Sequence, residues 1–305
     1  MKILILGNSK IFQRKVYPAL NKIKKLKLEL ASKRLIKNNV KLDKTYNSYK
    51  IALKQTTAKI VYISLVNSQH YYWSLESLKH NKHVIIDKPI TLNFSHTNKL
   101  LNLARKKNLL ISEAIVFDQH DVFKKMYSKI NFQSKIEIFS KFHIPKLEKD
   151  NFRNFNKYGG GCFNDMSPYA SSLINLFFKN DKYSLNCKIK KSKIGVVNSF
   201  ILKVKSKNIY LEASFSFNSI YKNEILIHNQ NKKYFLNFVF SPPNDKSLKL
   251  NIFDEISKKK NDINVSRQNV FYTYFNKVFN ILRNEKYNYF YNEIKTIAKI
   301  KKKFS

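Results

Sequence analysis

Lys2-Ile3-Leu4-Ile5-Leu6-Gly7-Asn8-Ser9-Lys10-Ile11-Phe12 is the stretch whose reading decides the fold. Lys2–Leu6 is a short, almost uninterrupted apolar run, the habit of a strand buried on both faces of a parallel sheet. Gly7-Asn8-Ser9 supplies a turn, and beyond it Ile11, Val16, Leu20 and Ile23 recur at helical spacing. Strand, glycine turn and helix together open a βαβ unit. The same alternation continues outward: residues 26–32, 60–64, 83–87 and 109–112 read as further strands, with helices near 48–54, 71–80 and 95–107. After about Phe117 the pattern changes. Residues 135–142, 195–204, 209–217, 224–228 and 233–240 arrive as successive strands between short polar turns, which predicts an antiparallel sheet. One strong helix is expected over 168–178, and the stretch 271–302 reads as helical. The fold class is therefore α/β, with an N-terminal Rossmann parallel-sheet domain over 1–117. An α+β domain with a mostly antiparallel sheet is expected over 118–305.

The 305 residues are 43% hydrophobic, enough for a packed core and too many for wholesale disorder. No run approaches the ~20 apolar residues of a membrane-spanning helix, and the opening run falls short of the ~7–15 residues of a secretory core. A soluble cytoplasmic protein without membrane partners is expected. The formal net charge of +38 invites a nucleic-acid reading, but only six of the 58 basic residues are arginine. Phosphate and base-edge recognition favours the guanidinium fork, so no nucleic-acid partner is expected, and lysine runs such as 258–260 and 301–303 read as solvated surface. Cys162 and Cys187 are the only cysteines and lack metal-ligand spacing, so neither a disulfide framework nor a metal site is expected.

Against the dinucleotide pattern G-x-G-x-x-G the chain offers Gly7, Ser9 and Phe12. Gly7 can make the turn. Ser9 puts a side chain where backbone normally approaches phosphate, although its hydroxyl could donate to a pyrophosphate. Phe12 replaces the small residue that allows close helix–sheet packing, which predicts some widening between helix and sheet there. At the tip of the second strand, Ala31-Ser32-Lys33-Arg34 carries no carboxylate, and Glu29 lies three residues back with parity opposite to Ser32. The Ser32 hydroxyl and the Arg34 guanidinium suit a 2′-phosphate, so NADP is the expected cofactor, with NAD an alternative.

Three further stretches act together: Val61-Tyr62-Ile63-Ser64-Leu65-Val66-Asn67-Ser68-Gln69-His70, Lys82-His83-Val84-Ile85-Ile86-Asp87-Lys88-Pro89, and Gly159-Gly160-Gly161-Cys162-Phe163-Asn164-Asp165-Met166-Ser167-Pro168-Tyr169. In this order they resemble the motifs of the Gfo/Idh/MocA family of NAD(P)-dependent sugar and inositol oxidoreductases. The resemblance runs from Gly7 to about Phe178. It departs from the family at Asp87, where Glu is usual, and at Val66, where Pro is usual. Asp118, His120 and Asp121 stand where many members carry an Arg and then His-Pro, and Tyr169 stands where several carry His.

The resemblance implies hydride transfer between a nicotinamide and a sugar or nucleotide-sugar, with cofactor contacts at Gly7, Ser9, Ile11, Leu65, Asn67, His70, Asp87 and Lys88. It also implies catalytic roles. Lys88 would hydrogen-bond the reacting oxygen, Tyr169 would move the proton, and Asp165 would anchor a substrate hydroxyl or orient the pair. A homo-oligomer formed through the C-terminal sheet is expected. The rival reading is a non-catalytic dinucleotide or sugar sensor on the same fold. Three of the five glycines stand together at 159–161, which calls for positive φ or a close approach to backbone or ligand.

Overall fold

The computed structural model describes residues 1–33, 40–179 and 181–303. The chain forms two compact units. The first comprises 1–114, 157–159 and 271–299, and the second 115–156, 160–270 and 300–305. These units do not follow the division 1–117 and 118–305: most of the C-terminal helical stretch and the start of the glycine run belong with the first. Apolar spacing shows that a segment is helical and not which core its apolar face covers, so the sequence carried no sign of this return.

In the first unit, six strands form one parallel sheet: β1 (Lys2–Leu6), β2 (Lys27–Ala31), β3 (Lys44–Tyr46), β4 (Ile60–Ile63), β5 (His83–Ile86) and β6 (Ile111–Glu113). Their order is β3-β2-β1-β4-β5-β6, the doubly wound arrangement whose direction reverses between β1 and β4. Ile3 through Leu6 and Ile60 through Ile63 are buried, as a sheet covered on both faces requires. Helices α1 (Tyr17–Leu20), α2 (Tyr49–Gln55), α3 (His70–Lys79) and α4 (Phe94–Lys106) belong to the crossovers. Helices α7 (Val270–Arg283) and α8 (Asn288–Lys302) return to this sheet. Tyr274 OH lies 2.6 Å from Ser112 Oγ, Tyr291 OH donates to the Leu109 carbonyl at 2.6 Å, and the Phe275 ring meets Tyr62 edge-on at 5.7 Å.

The helix after the first turn opens irregularly, a feature the apolar spacing does not report. Residues Phe12–Val16 form a π-helical turn, in which Tyr17 N–H reaches back five residues to the Phe12 carbonyl. Phe12 is fully buried, and the broader turn begins at this bulky residue.

In the second unit, helices α5 (Asp121–Tyr127) and α6 (Cys162–Phe177) accompany an eight-stranded sheet. Its strands are β7 (Ile136–His143), β8 (Ser184–Lys191), β9 (Val197–Lys205), β10 (Ile209–Ser216), β11 (Lys222–Asn229), β12 (Lys232–Asn237), β13 (Leu248–Asp254) and β14 (Lys260–Val265). The order is β14-β13-β12-β11-β7-β10-β9-β8, antiparallel throughout except where β10 runs parallel to β7. Strand β10 alternates buried Ile209, Leu211, Ala213 and Phe215 with half-buried residues, which marks a sheet with one core face. Helix α6 starts six residues before the expected 168, leaving Pro168 inside it. Proline favours a first turn, but here the apolar contacts of Cys162, Phe163 and Met166 carry the helix through it.

Candidate active site

The carboxyl ends of β1, β4 and β5 meet where the strand order reverses, the place where such sheets take ligands. Gly7 turns there with φ of +102°, and a Cβ on it would lie 2.3 Å from the Ser64 carbonyl oxygen. Only glycine combines that φ with that approach. Gly7 N–H donates to the Ala31 carbonyl at 2.9 Å, and Ser64 N–H donates to that of Leu6 at 2.9 Å, so the tips of β1, β2 and β4 are fastened by backbone.

Side chains continue the fastening. Ser9 Oγ accepts Phe12 N–H at 3.0 Å and lies 2.6 Å from Ser64 Oγ. Ser64 Oγ donates to Asp87 Oδ2 at 2.6 Å, and Tyr62 OH donates to Asp87 Oδ1. Burial pushes the Asp87 carboxyl above its ordinary range, while the hydroxyls of Ser64 and Tyr62 pull it back. Tyr62 itself is pushed well above the usual phenol range, first by burial and then by Asp87. The Ser9 hydroxyl thus engages Phe12 and Ser64 at the strand tips.

The segment after Asp87 is held from both sides. His70 Nδ1 lies 2.6 Å from the Pro89 carbonyl and Nε2 lies 3.0 Å from that of Leu65. Ile90 N–H donates to the buried Glu113 carboxylate at 2.9 Å. Lys88 is half-buried between these anchors. The resemblance makes His70 a cofactor-side contact. In the structure it is fully buried between the Pro89 and Leu65 carbonyls, and burial lowers its pKa, so the neutral ring donates to one of the two and packs between the segments that carry them. Asn67 is also buried, and its Nδ2 donates to the Gly159 carbonyl at 3.0 Å.

Ser32, just past β2, is buried, with its N–H on the Tyr46 carbonyl at 3.0 Å. Arg34 lies outside the described residues. Glu29 is turned away from this tip, its carboxylate accepting from Tyr46 OH at 3.0 Å and Thr56 Oγ1 at 2.6 Å. Ile11 stands exposed beside the first turn, and Leu65 is half-buried.

In the second unit, the Tyr169 ring sits against Phe240, Phe142 and Phe117, with centroids 5.2, 5.5 and 6.1 Å away. Asp165, one helical turn earlier, is buried, and Arg153 Nε stands 3.0 Å from its Oδ1. The sequence reading gives Asp165 to a substrate hydroxyl or to orienting Lys88 and Tyr169; in the structure it faces an arginine of the preceding loop. That loop also explains Gly160: a Cβ there would fall 2.6 Å from the Arg153 carbonyl oxygen and 2.7 Å from that of Phe155. Gly160 makes room for the loop that precedes it. His120 is buried with Nδ1 accepting Val122 N–H at 3.1 Å, a cap on α5.

Sequence reasoning missed the roles of Tyr62, Ser64, Glu113 and Arg153. Tyr62 and Ser64 lay within a quoted motif, and hydroxyls at a strand tip next to an acid were the available signal. Arg153 could have been flagged as one of six arginines in a lysine-rich chain. Among the described residues, no group of three or more His, Cys, Asp or Glu could hold a metal ion, and no helix is long and apolar enough to cross a membrane.

Residues 1–115 match the Gfo/Idh/MocA family, described as an oxidoreductase family with an NAD-binding Rossmann fold. A dTDP-3,4-didehydro-2,6-dideoxy-alpha-D-glucose 3-reductase of Saccharopolyspora spinosa is 31% identical over 132 residues, 42% of this chain and 40% of that protein. The enzyme of the same name from Actinomadura kijaniata is 24% identical over 200 residues, 64% of this chain and 60% of that protein. The chain thus spans between 40% and 60% of these curated relatives. Among solved structures, KijD10, a 3-ketoreductase from Actinomadura kijaniata in complex with NADP and TDP-benzene, superposes with a TM-score of 0.91 at 18% identity. That superposition covers 100% of this chain and 96% of KijD10, a likeness of fold. An aldose-aldose oxidoreductase from Caulobacter crescentus gives a TM-score of 0.79 at 11% identity, over 98% and 95% of the two chains.

Proposed function

We propose that this chain, whose residues 1–115 belong to the Gfo/Idh/MocA family of NAD-binding Rossmann-fold oxidoreductases, reduces a carbonyl of a nucleotide-linked sugar with NADPH. The observation that carries the reading is the carboxyl edge of β1, β4 and β5, where a glycine turn with no room for a side chain adjoins the fastened Asp87-Lys88-Pro89 segment. The residues present fit a dinucleotide. Gly7 keeps side-chain bulk out of the turn, and Ser9 turns its hydroxyl toward Ser64. The tip of β2 presents Ser32, while the nearest acid of that strand, Glu29, is occupied by Tyr46 and Thr56. No carboxylate of β2 would therefore repel a 2′-phosphate, which supports NADP over NAD.

When bound, the nicotinamide supplies the hydride. On this reading Gly7, Ile11, Leu65 and Asn67 hold the dinucleotide, and Ser32, with Arg34, holds its 2′-phosphate. The Lys88 ammonium hydrogen-bonds the reacting oxygen and stabilises the charge that develops on it. Tyr169 supplies the proton, its ring fixed by Phe117, Phe142 and Phe240. Asp165 acts through Arg153, which makes it a support for the loop before α6. The first unit takes the cofactor role, and the second the roles of substrate binding and of assembly into a homo-oligomer in the cytoplasm.

Titration of the protein with NADPH and with NADH, followed by nicotinamide fluorescence, tests this. NADPH should bind at least about tenfold more tightly, a difference of about 1.4 kcal/mol. Equal affinities would overturn the 2′-phosphate assignment. Binding of neither, up to about 1 mM, would overturn the dinucleotide reading itself. Binding without turnover of any nucleotide-linked keto-sugar would favour a sensor.

A further inference from the structure

We propose that Ser9 is a positioning residue, tied through Ser64 and Asp87 to the segment that carries Lys88, so that the first turn and the Lys88 loop move as one piece. The inference rests on the dinucleotide reading for its purpose, though not for its geometry. Counting protons fixes the direction of the chain. A serine hydroxyl has one proton to give. That of Ser64 goes to Asp87 Oδ2 at 2.6 Å, so the 2.6 Å contact between Ser9 and Ser64 is a donation from Ser9. Ser9 Oγ in turn accepts Phe12 N–H at 3.0 Å, and Tyr62 OH donates to the other oxygen of Asp87. Both carboxyl oxygens of Asp87 thus receive a hydroxyl, and a chain runs from Phe12 N–H through Ser9 and Ser64 to Asp87.

The chain crosses the tips of three neighbouring strands. Ser9 follows β1, Ser64 follows β4 and Asp87 follows β5, which stand side by side in that order. It therefore spans the point where the sheet changes direction and ends one residue before Lys88. Backbone bonds run beside it, from Ser64 N–H to the Leu6 carbonyl at 2.9 Å and from Asp87 N–H to the Ile63 carbonyl at 3.0 Å. Those bonds fix the strands, whereas the side-chain links fix the turn beyond β1 against the segment beyond β5. A glycine in place of Ser9 would leave the Phe12 amide and the Ser64 hydroxyl each short of a partner. Serine at this position exchanges the open surface of glycine for a cross-brace to Ser64.

A simple helix cap makes a different forecast: Ser9 would then matter to Phe12 alone, and Ser64 would be irrelevant to it. Amide hydrogen exchange of the ligand-free protein separates the two, using Ser9→Ala, Ser64→Ala, their combination and the conservative Ser9→Thr. The brace forecasts exchange at the Ile90 amide faster by about threefold or more in each alanine variant, with the double variant no faster than the quicker single one, because one break severs the chain. NADPH affinity should follow the same pattern, weakening about three- to tenfold in each, and Ser9→Thr should restore both readouts to within about twofold of the parent. Three outcomes overturn the proposal: exchange at Ile90 unmoved by Ser9→Ala, effects that multiply in the double variant, or a Ser64→Ala protein equal to the parent. Should the parent bind no dinucleotide while exchange at Ile90 remains coupled, the functional reading falls and the brace stands.

Discussion

Replacing Arg153 by Met tests whether Asp165 is structural. The Asp165 side chain is 7% exposed and that of Arg153 30%, with Nε 3.0 Å from Oδ1. Removing the guanidinium leaves a buried carboxylate without its charge partner, and breaking a buried pair from one side costs about 3–5 kcal/mol. Water reaches this pair from the arginine side, so the loss belongs at or just below the lower end, about 2–3 kcal/mol. The Arg153 carbonyl would still accept Gly161 N–H at 2.8 Å, so the backbone of the loop is not itself cut. Asp165→Asn keeps the shape and removes the charge, at a cost of about 1–2 kcal/mol. Combining the two substitutions removes the stranded charge, and the double variant should lie within about 0.5 kcal/mol of Asp165→Asn alone. Urea unfolding followed by tyrosine fluorescence measures all four proteins. Single variants that each lose less than about 0.5 kcal/mol, or losses that add in the double variant, would refute the pairing. An Arg153→Met protein of parental stability without turnover would return Asp165 to the chemistry.

Further outcomes follow from other sites. Gly160→Ala places a Cβ 2.6 Å from the Arg153 carbonyl oxygen and should cost about 2 kcal/mol or more in the same urea assay, with an alanine of parental stability as the contrary result. Burial and the nearby Lys59 hold the His83 imidazole at about 4, below its ordinary value, while its Nδ1 accepts Leu110 N–H at 3.0 Å. Its unfolded form takes up a proton first, so the stability it contributes is complete above pH ~6.5, declines as pH falls toward 4 and changes no further below that. His83→Asn should flatten the urea midpoint over that window, and an unchanged slope would contradict the assignment. Burial raises the Cys187 thiol to about 11, so at pH 8 it should alkylate at least about tenfold more slowly than an unhindered cysteine of pKa ~8.5.

The strands of the parallel sheet were legible where they were apolar on both faces: β1 was expected over 2–6 and is Lys2–Leu6, and β4 and β5 end one residue before their expected limits. The strands that escaped were edges or their neighbours. Strand β14 reads Lys-Asn-Asp-Ile-Asn-Val and is largely exposed, and β8 carries three lysines among its eight residues. Edge strands are protected by such charges, so the feature that keeps them soluble also erases their alternation. Strand β13 does alternate, with Leu248, Leu250 and Ile252 buried, and its pattern is legible in the sequence. At the site, Gly7 and the Asp87-Lys88-Pro89 segment were legible as a turn and a motif. The brace was not, because hydrogen bonds among Ser9, Ser64 and Asp87 depend on strand order. The pairing of Arg153 with Asp165 was hidden for a similar reason: the intervening glycines fold the chain back on itself, and spacing alone does not report a fold-back.

The central claim is hydride transfer to a nucleotide-linked sugar, and isotope transfer tests it most directly. The protein is incubated with nucleoside-diphosphate keto-sugars and NADPH deuterated at the transferring position of the nicotinamide C4, and the recovered sugar is analysed by mass spectrometry. The account predicts a reduced sugar carrying one deuterium at the former carbonyl carbon, with label incorporation lost in Lys88→Met and in Tyr169→Phe. Unreduced sugar recovered from a protein shown to bind both NADPH and the keto-sugar would contradict it, as would label incorporation undiminished in both variants.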